Sequence, residues 1–256
     1  MLLVVDSGNT NLVFALYQND KKCGEWRTAS FSRLSRDDIA VWLSSVIANK
    51  KYSLEDIKAI IIACVVPTIE NELIAFGQKY IPQCLVVGRD KLDFGFKNYA
   101  ERPDDVGADR LVNGVSGQKL YGCPLIVIDF GTATSFDFFN KDGHFIGGII
   151  APGIYLSRDA LYRAAEKLPR VKVKKINHVI GKATYPAVEA GLYWGYIAMI
   201  EGLLSRAIDD AGFINPKTVA TGGLAQLFYT AIDSIDYYDK DLTLKGLQEL
   251  YQRTKA

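Results

Sequence analysis

Leu2-Leu3-Val4-Val5-Asp6-Ser7-Gly8-Asn9-Thr10-Asn11-Leu12-Val13-Phe14 reads as a buried strand, a carboxylate-bearing turn and a returning strand. A looser copy stands about half a chain later: Leu125-Ile126-Val127-Ile128-Asp129-Phe130-Gly131-Thr132-Ala133-Thr134-Ser135-Phe136-Asp137. Each is an apolar run, an Asp, one residue, a Gly, small polar residues and a second apolar run. The repetition predicts two similar halves facing each other, each offering an Asp and backbone N–H groups to something between them.

The 256 residues allow a large core, in one domain or two small ones. With 49% apolar residues and a net charge of +1, the composition is that of a soluble globular protein. It provides no general field for nucleic acid or an anionic membrane. Cys23, Cys64, Cys84 and Cys123 form no C-x-x-C pair, and His144 and His178 complete no zinc-ligand spacing. Scattered single cysteines fit a reducing cytosol, so a cytoplasmic location is expected. The apolar run Leu2–Val5 is too short for a secretory signal and ends in Asp6. No run approaches the ~20 apolar residues that span a bilayer.

Along the chain, strands are expected at 2–6, 11–17 and 24–29. A helix follows over 36–48, with Ile39, Leu43, Val46 and Ile47 at helical spacing and Ser35 as N-cap. Lys58–Cys64 is a continuously apolar strand, as in a covered sheet. A helix over 68–80, a short strand at 85–87 and a polar loop over 88–106 come next. Gly107-Ala108-Asp109-Arg110 opens another helix, with Leu111, Val112 and Val115 on its inner face. The second half restarts with strands 125–129, 134–139 and 144–150. It continues with a helix after Pro152-Gly153, an exposed strand over 170–176 with a solvated edge of Arg170, Lys172, Lys174 and Lys175, and a long helix over 185–211. Strand 219–221 runs into Gly222-Gly223, and a helix over 243–253 closes the chain. This describes a duplicated α/β unit with halves at 1–115 and 116–256 and a boundary between about 110 and 124.

In Asp6-Ser7-Gly8-Asn9-Thr10, Gly lets a ligand approach the backbone, and successive N–H groups form an anion-binding concavity. An Asp beside bound phosphates needs a cation, so Asp6 implies Mg²⁺, direct or through water. Such a turn is equally an ordinary hairpin turn; its repetition at Asp129–Thr134 makes coincidence a poor account. Thr221-Gly222-Gly223-Leu224-Ala225 offers a third feature, a strand running into backbone that can lie flat against a ligand such as a purine ring. Asp109 stands at a helix start, where the dipole favours an ionised carboxylate. A positioned carboxylate is what a phosphoryl acceptor hydroxyl needs. It could equally decorate the helix start, in an ion pair with Arg110.

The order of these three elements resembles the superfamily of actin, the heat-shock ATPases and the sugar kinases. That resemblance implies a duplicated RNase-H-like (actin-like ATPase) α/β fold, with two mixed sheets flanked by helices and ATP in a central cleft. Within the superfamily, D-x-G-N-T at 6–10, V-V-P at 65–67, P-x-x-V-G-A-D-R at 103–110, D-F-G-T-A-T at 129–134, G-G-x-I-x-P-G at 147–153 and T-G-G-L-A at 221–225 occur in order. Over essentially the whole chain this resembles a type III pantothenate kinase. The resemblance implies ATP-dependent phosphorylation of pantothenate at its primary hydroxyl, the first step to coenzyme A. It also implies a homodimer, Mg²⁺, and a monovalent cation, potassium or ammonium.

Residue by residue, the resemblance makes Asp109 the general base and places Gly107, Ala108, Asp109 and Arg110 at the pantothenate site. Arg110 would meet either the pantothenate carboxylate or the transferring phosphoryl group. Asp6, Ser7, Gly8, Asn9, Thr10, Asn11, Leu12 and Val13 match the ATP-binding segment, with Thr132 as a further contact and Gly222 and Gly223 in the adenosine segment. Asp129 matches the monovalent-cation ligand, and Thr184 a substrate-binding Thr. The apolar face of the long helix would be dimer surface or core. The family's substrate-contacting Tyr stands three residues before the Pro, whereas Tyr99 stands four before Pro103, which leaves its role open. Two rivals keep the fold: another small-molecule kinase, or a non-catalytic transcription accessory factor. The Gly107–Arg110 segment argues against the first, and the presence of Asp6, Asp109 and Asp129 against the second.

Overall fold

A computed structural model describes residues 1–30, 34–165 and 167–255. The first sheet holds β1 (Leu2–Ser7), β2 (Asn11–Gln18), β3 (Lys21–Ala29), β4 (Ala59–Cys64) and β5 (Gln83–Val86), in the order β3-β2-β1-β4-β5. β1 pairs antiparallel with β2 and parallel with β4. Both faces are covered, which is why the central strands are apolar without alternation. On one face Leu3, Val5 and Phe14 pack against Leu43 of α1 (Arg36–Ala48) and Leu73 and Phe76 of α2 (Pro67–Tyr80). Helix α1 starts as expected at a Ser35 capping box closed by Asp38. On the other face Val4, Val13 and Ile61 meet Val112 and Val115 of α3 (Ala108–Tyr121) and Leu247 and Leu250 of α7 (Leu242–Arg253). Strand residues alternate in direction, so Asp6 extends the Leu2–Val4 row towards the face that α3 and α7 cover.

The second sheet holds β6 (Leu125–Phe130), β7 (Ala133–Phe139), β8 (Phe145–Pro152), β9 (Lys217–Thr221) and β10 (Tyr237–Tyr238), in the order β10-β9-β6-β7-β8. Read from the other edge, this is the strand order of the first sheet, with the same antiparallel and parallel pairings. The duplicated RNase-H-like fold, with two mixed sheets flanked by helices, is therefore present. The remaining helices of this half are α4 (Ile154–Ala164), α5 (Thr184–Ala211) and α6 (Ala225–Phe228). Ile126, Ile128 and Phe130 pack with Tyr193, Tyr196, Ile197 and Ile200 of α5 and Phe228 of α6. The aromatic stripe of α5 is thus core of its own half.

Two expectations are corrected. The chain divides into one unit of residues 1–116 with 241–256 and another of 117–240. The closing helix, expected with the second half, belongs to the first, because its apolar face completes the covering of the first sheet beside α3. Residues 170–176 form no strand. Among the described residues the segment pairs with no strand; instead Val171 and Ile176 are buried and the Lys174 ammonium lies 3.1 Å from the Glu189 carboxylate.

A Cβ at Gly246 would fall 2.2 Å from the Val112 carbonyl oxygen, so this glycine sets how closely α7 meets α3. Gly246→Ala is expected to lower the unfolding free energy by about 1–3 kcal/mol, as overpacked contacts do. Urea unfolding checks this, and an unchanged midpoint would contradict the close approach.

Candidate active site

The first turn is closed by the Gly8 N–H donating to Asn11 O at 3.0 Å. It is clasped from outside by Ser30, at the end of β3, whose N–H donates to Thr10 O at 3.0 Å and whose Oγ donates to Gly8 O at 2.6 Å. Ser30 was not among the expected site residues; nothing in its local sequence marks it, since the clasp depends on the pairing of β3 with β2. Within the 6–13 segment, Ser7, Leu12 and Val13 are buried. Only their backbone can meet a ligand, whereas Asn9 and Thr10 are exposed.

Asp6 ends the apolar row of β1, and Asp109 stands in the first turn of α3, on the helix that covers the same face. Burial, followed by the Asp109 charge, pushes the Asp6 carboxyl up to about 7, while Arg27 on β3 opposes the shift. Burial also pushes Asp109 up, against the bond its Oδ1 accepts from the Arg110 N–H at 2.8 Å and the Arg110 charge. At this helix start, desolvation outweighs the backbone donors and the Arg110 charge in setting the direction of the shift. A Cβ at Gly107 would lie 2.7 Å from Asp109 Oδ1, so the glycine leaves that carboxylate its position. Arg102 and Asp105 pair loosely at 3.8 Å in solvent, and Tyr99 is 54% exposed in the irregular segment before them.

In the second unit the turn after β6 is one residue tighter. Asp6 pairs with Val13 but Asp129 with Ser135, and the Gly131 N–H donates to Ala133 O at 3.1 Å. Two other turns press on it. Gly222, at φ 90°, would place a Cβ 2.3 Å from Asp129 Oδ1. Gly153 would place one 2.3 Å from the Thr132 carbonyl oxygen. The second D-x-G turn, the Gly222 turn and the Pro152-Gly153 turn are therefore brought together, with Thr132 exposed and open space beside Gly223. Thr184 opens α5 and lines a groove of about 700 Å³ with Leu161, Leu168, Val188 and Leu192. Tyr196 bonds Thr134, and burial pushes its phenol up to about 12.

Among the described residues, no cluster of three or more His, Cys, Asp or Glu side chains could hold a metal alone. The residues still suit a divalent cation. Asp6 is an oxygen donor whose ionisation burial opposes and a cation would favour, and phosphate oxygens could complete the shell.

An acid whose pKa rises on folding contributes stability while protonated. The contribution is complete below the unfolded value near 4 and is lost as pH rises through about 7 for Asp6. Without divalent cations, Asp6→Asn should therefore match wild type near pH 4 and exceed its stability at pH 8, by on the order of 2–4 kcal/mol. Paired denaturation curves at the two pH values check this; a constant offset would contradict the raised pKa. In the second unit, Gly222→Ala should lower the melting temperature by several degrees, about 1–3 kcal/mol, because both its φ and its Cβ are disallowed.

A family model for type III pantothenate kinases matches residues 2–206. The type III pantothenate kinase of Paramagnetospirillum magneticum is 48% identical over 257 aligned residues, covering all of this chain and 98% of that one. Two solved structures share the fold. One is the activator of 2-hydroxyisocaproyl-CoA dehydratase from Clostridium difficile, with TM-score 0.57 and 10% identity, covering 99% and 97% of the two chains. The other is the inorganic polyphosphate/ATP-glucomannokinase from an Arthrobacter species, with TM-score 0.51 and 12% identity, covering 100% and 99%. With the family model spanning most of the chain and a close relative aligned end to end, the chain belongs to the type III pantothenate kinase family.

Proposed function

We propose that this chain transfers the terminal phosphoryl group of ATP to the primary hydroxyl of pantothenate, with Asp109 as general base. The observation that supports this reading is the Asp6–Asp109 pair: two carboxylates brought to one covered face beside a glycine-bearing turn, both raised by burial and Asp6 further raised by the Asp109 charge. In this reaction the base accepts the acceptor's proton as the new P–O bond forms, so the hydroxyl must be held within hydrogen-bond reach of it. A carboxylate fixed by a backbone donor on a helix start is placed for that. The raised pKa brings its proton affinity nearer to what the transfer needs. Gly107 and Ala108 leave space for the pantothenate chain, and Arg110 supplies a planar donor pair for its carboxylate or for the transferring group.

In this reading Asp6 is the protein ligand for Mg²⁺, which when bound neutralises phosphate charge. Asn9, Thr10 and the turn's backbone N–H groups hold phosphate oxygens. Thr132 and the Gly222-Gly223 backbone take the remaining nucleotide contacts, Asp129 takes potassium or ammonium, and Thr184 and Tyr99 take substrate. The proposed location is cytoplasmic, and no helix among the described residues is long and apolar enough to cross a membrane. We also propose a homodimer. It is supported by exposed apolar side chains of the second unit, Ile150, Leu156, Val179 and Ile180, rather than by the buried stripe of α5.

Pantothenate-dependent ADP release by the purified protein, with Mg²⁺ and potassium, is the expected activity, and its absence would sink the reading. Asp109→Asn should lower kcat by about 10²–10⁴-fold while leaving ADP affinity nearly unchanged. A near wild-type kcat would remove Asp109 as base. Sodium supporting turnover as well as potassium would count against the Asp129 assignment.

A further inference from the structure

Arg27 was not among the expected site residues, yet the sheet places it in the same row as Asp6. Asp6 pairs with Val13 across β1 and β2, and Val13 pairs with Arg27 across β2 and β3. Directly paired strand residues point to the same face, so all three side chains stand on the face covered by α3 and α7. Two strand spacings, about 9–10 Å, separate Arg27 from Asp6 at the backbone, and an extended arginine side chain passing over Val13 covers most of that distance. Its charge offsets part of the burial and of the Asp109 charge acting on Asp6.

Lys22 bonds both Glu25 at 2.6 Å and Asp241 at 2.7 Å. Arg27, by contrast, is exposed, and among the described residues no carboxylate lies within salt-bridge distance of it. The fold does not require a cation there. In the second sheet the same row reads Asp129, Ser135, Ile150, so the position that holds Arg27 in the first half holds an exposed isoleucine in the second. The side chain is thus long enough to reach towards the first D-x-G turn, in no ion pair with a carboxylate of the described residues, and unnecessary to the repeat.

We propose that Arg27 is a nucleotide-binding residue that reaches over Val13 and donates to the polyphosphate held at the Asp6–Asn11 turn. This deepens the kinase reading and rests on it. A planar fork of N–H donors suits phosphate oxygens, and its charge offsets the anion brought beside Asp6 and Asp109.

The test uses the full chain as Arg27→Gln and Arg27→Lys, with adenosine and Mg–ADP titrated calorimetrically and the steady-state constants measured in parallel. The expected result for the Gln variant is about a ten-fold or greater loss of ADP affinity and rise in KM for ATP, with adenosine affinity and the pantothenate KM within about two-fold of wild type. The Lys variant should recover part of the loss. Unchanged ADP affinity would overturn the proposal, and so would equal losses for adenosine and ADP, which mark a structural role. Arg27→Met, which keeps the stem over Val13, gives the same reading should the Gln variant fold poorly. A wild-type protein that binds ADP but does not phosphorylate pantothenate would sink the acceptor assignment and leave the Arg27 comparison intact; one that binds no nucleotide would overturn both.

Discussion

Two carboxylates on one covered face set the terms for the first unit, where the Asp109 charge adds to burial in making Asp6 harder to ionise. Asp6 is carried there by β1, whose four preceding residues are fully committed to the core on alternate faces. Asp109 is carried there by α3, whose Val112 and Val115 fix it on the face that Asp6 extends. Neither position can move without unpacking a sheet or a helix. The pair is therefore paid for by the surrounding apolar contacts rather than by any bond of its own. Such an arrangement is relieved by protonation of Asp6 or by positive charge, which Arg110, Arg27 and a bound cation can each contribute.

The second unit repeats the scaffold but resolves its turn differently. There the constraint is close approach of backbone rather than opposition of charge. Gly222 and Gly153 have no side chain because the second D-x-G turn occupies the space a Cβ would need. A hairpin one residue shorter than the first leaves Thr132 at the tip and holds Asp129 against the Gly222 turn. The same strand–turn–strand unit thus supplies a longer, polar loop in one half and a shorter turn buttressed by two glycines in the other.

Much of this was legible in the chain. Apolar runs, the Ser35 cap and the glycine-bearing turns are local signals, and they placed the strands, α1 and the three turns close to where they stand. What was not legible depends on pairing across distance. The alternation of Arg170, Val171, Lys172, Val173 and Lys174 looks like a strand, but a strand needs a partner edge, and among the described residues this segment pairs with none. The last helix carries no local mark of the sheet it covers, so sequence order assigned it to the wrong half. Ser30 and Arg27 became visible only with the register of β3. The raised pKa of Asp109 required knowing what buries it, since the helix start by itself argues for the opposite shift.

Two sheets with one strand order fix where a side chain in a given row will stand, but not which side chain it is. The rows Asp6, Val13, Arg27 and Asp129, Ser135, Ile150 occupy corresponding places and carry different chemistry at every position but the first. The shared Asp marks the end of a central strand, where polar groups first become accessible. The divergent third position lies on an outer strand, where β3 keeps a cation and β8 an exposed apolar residue. The repeated fold thus provides two equivalent frames, and the difference in chemistry between them is written in the residues that the frame leaves free to vary.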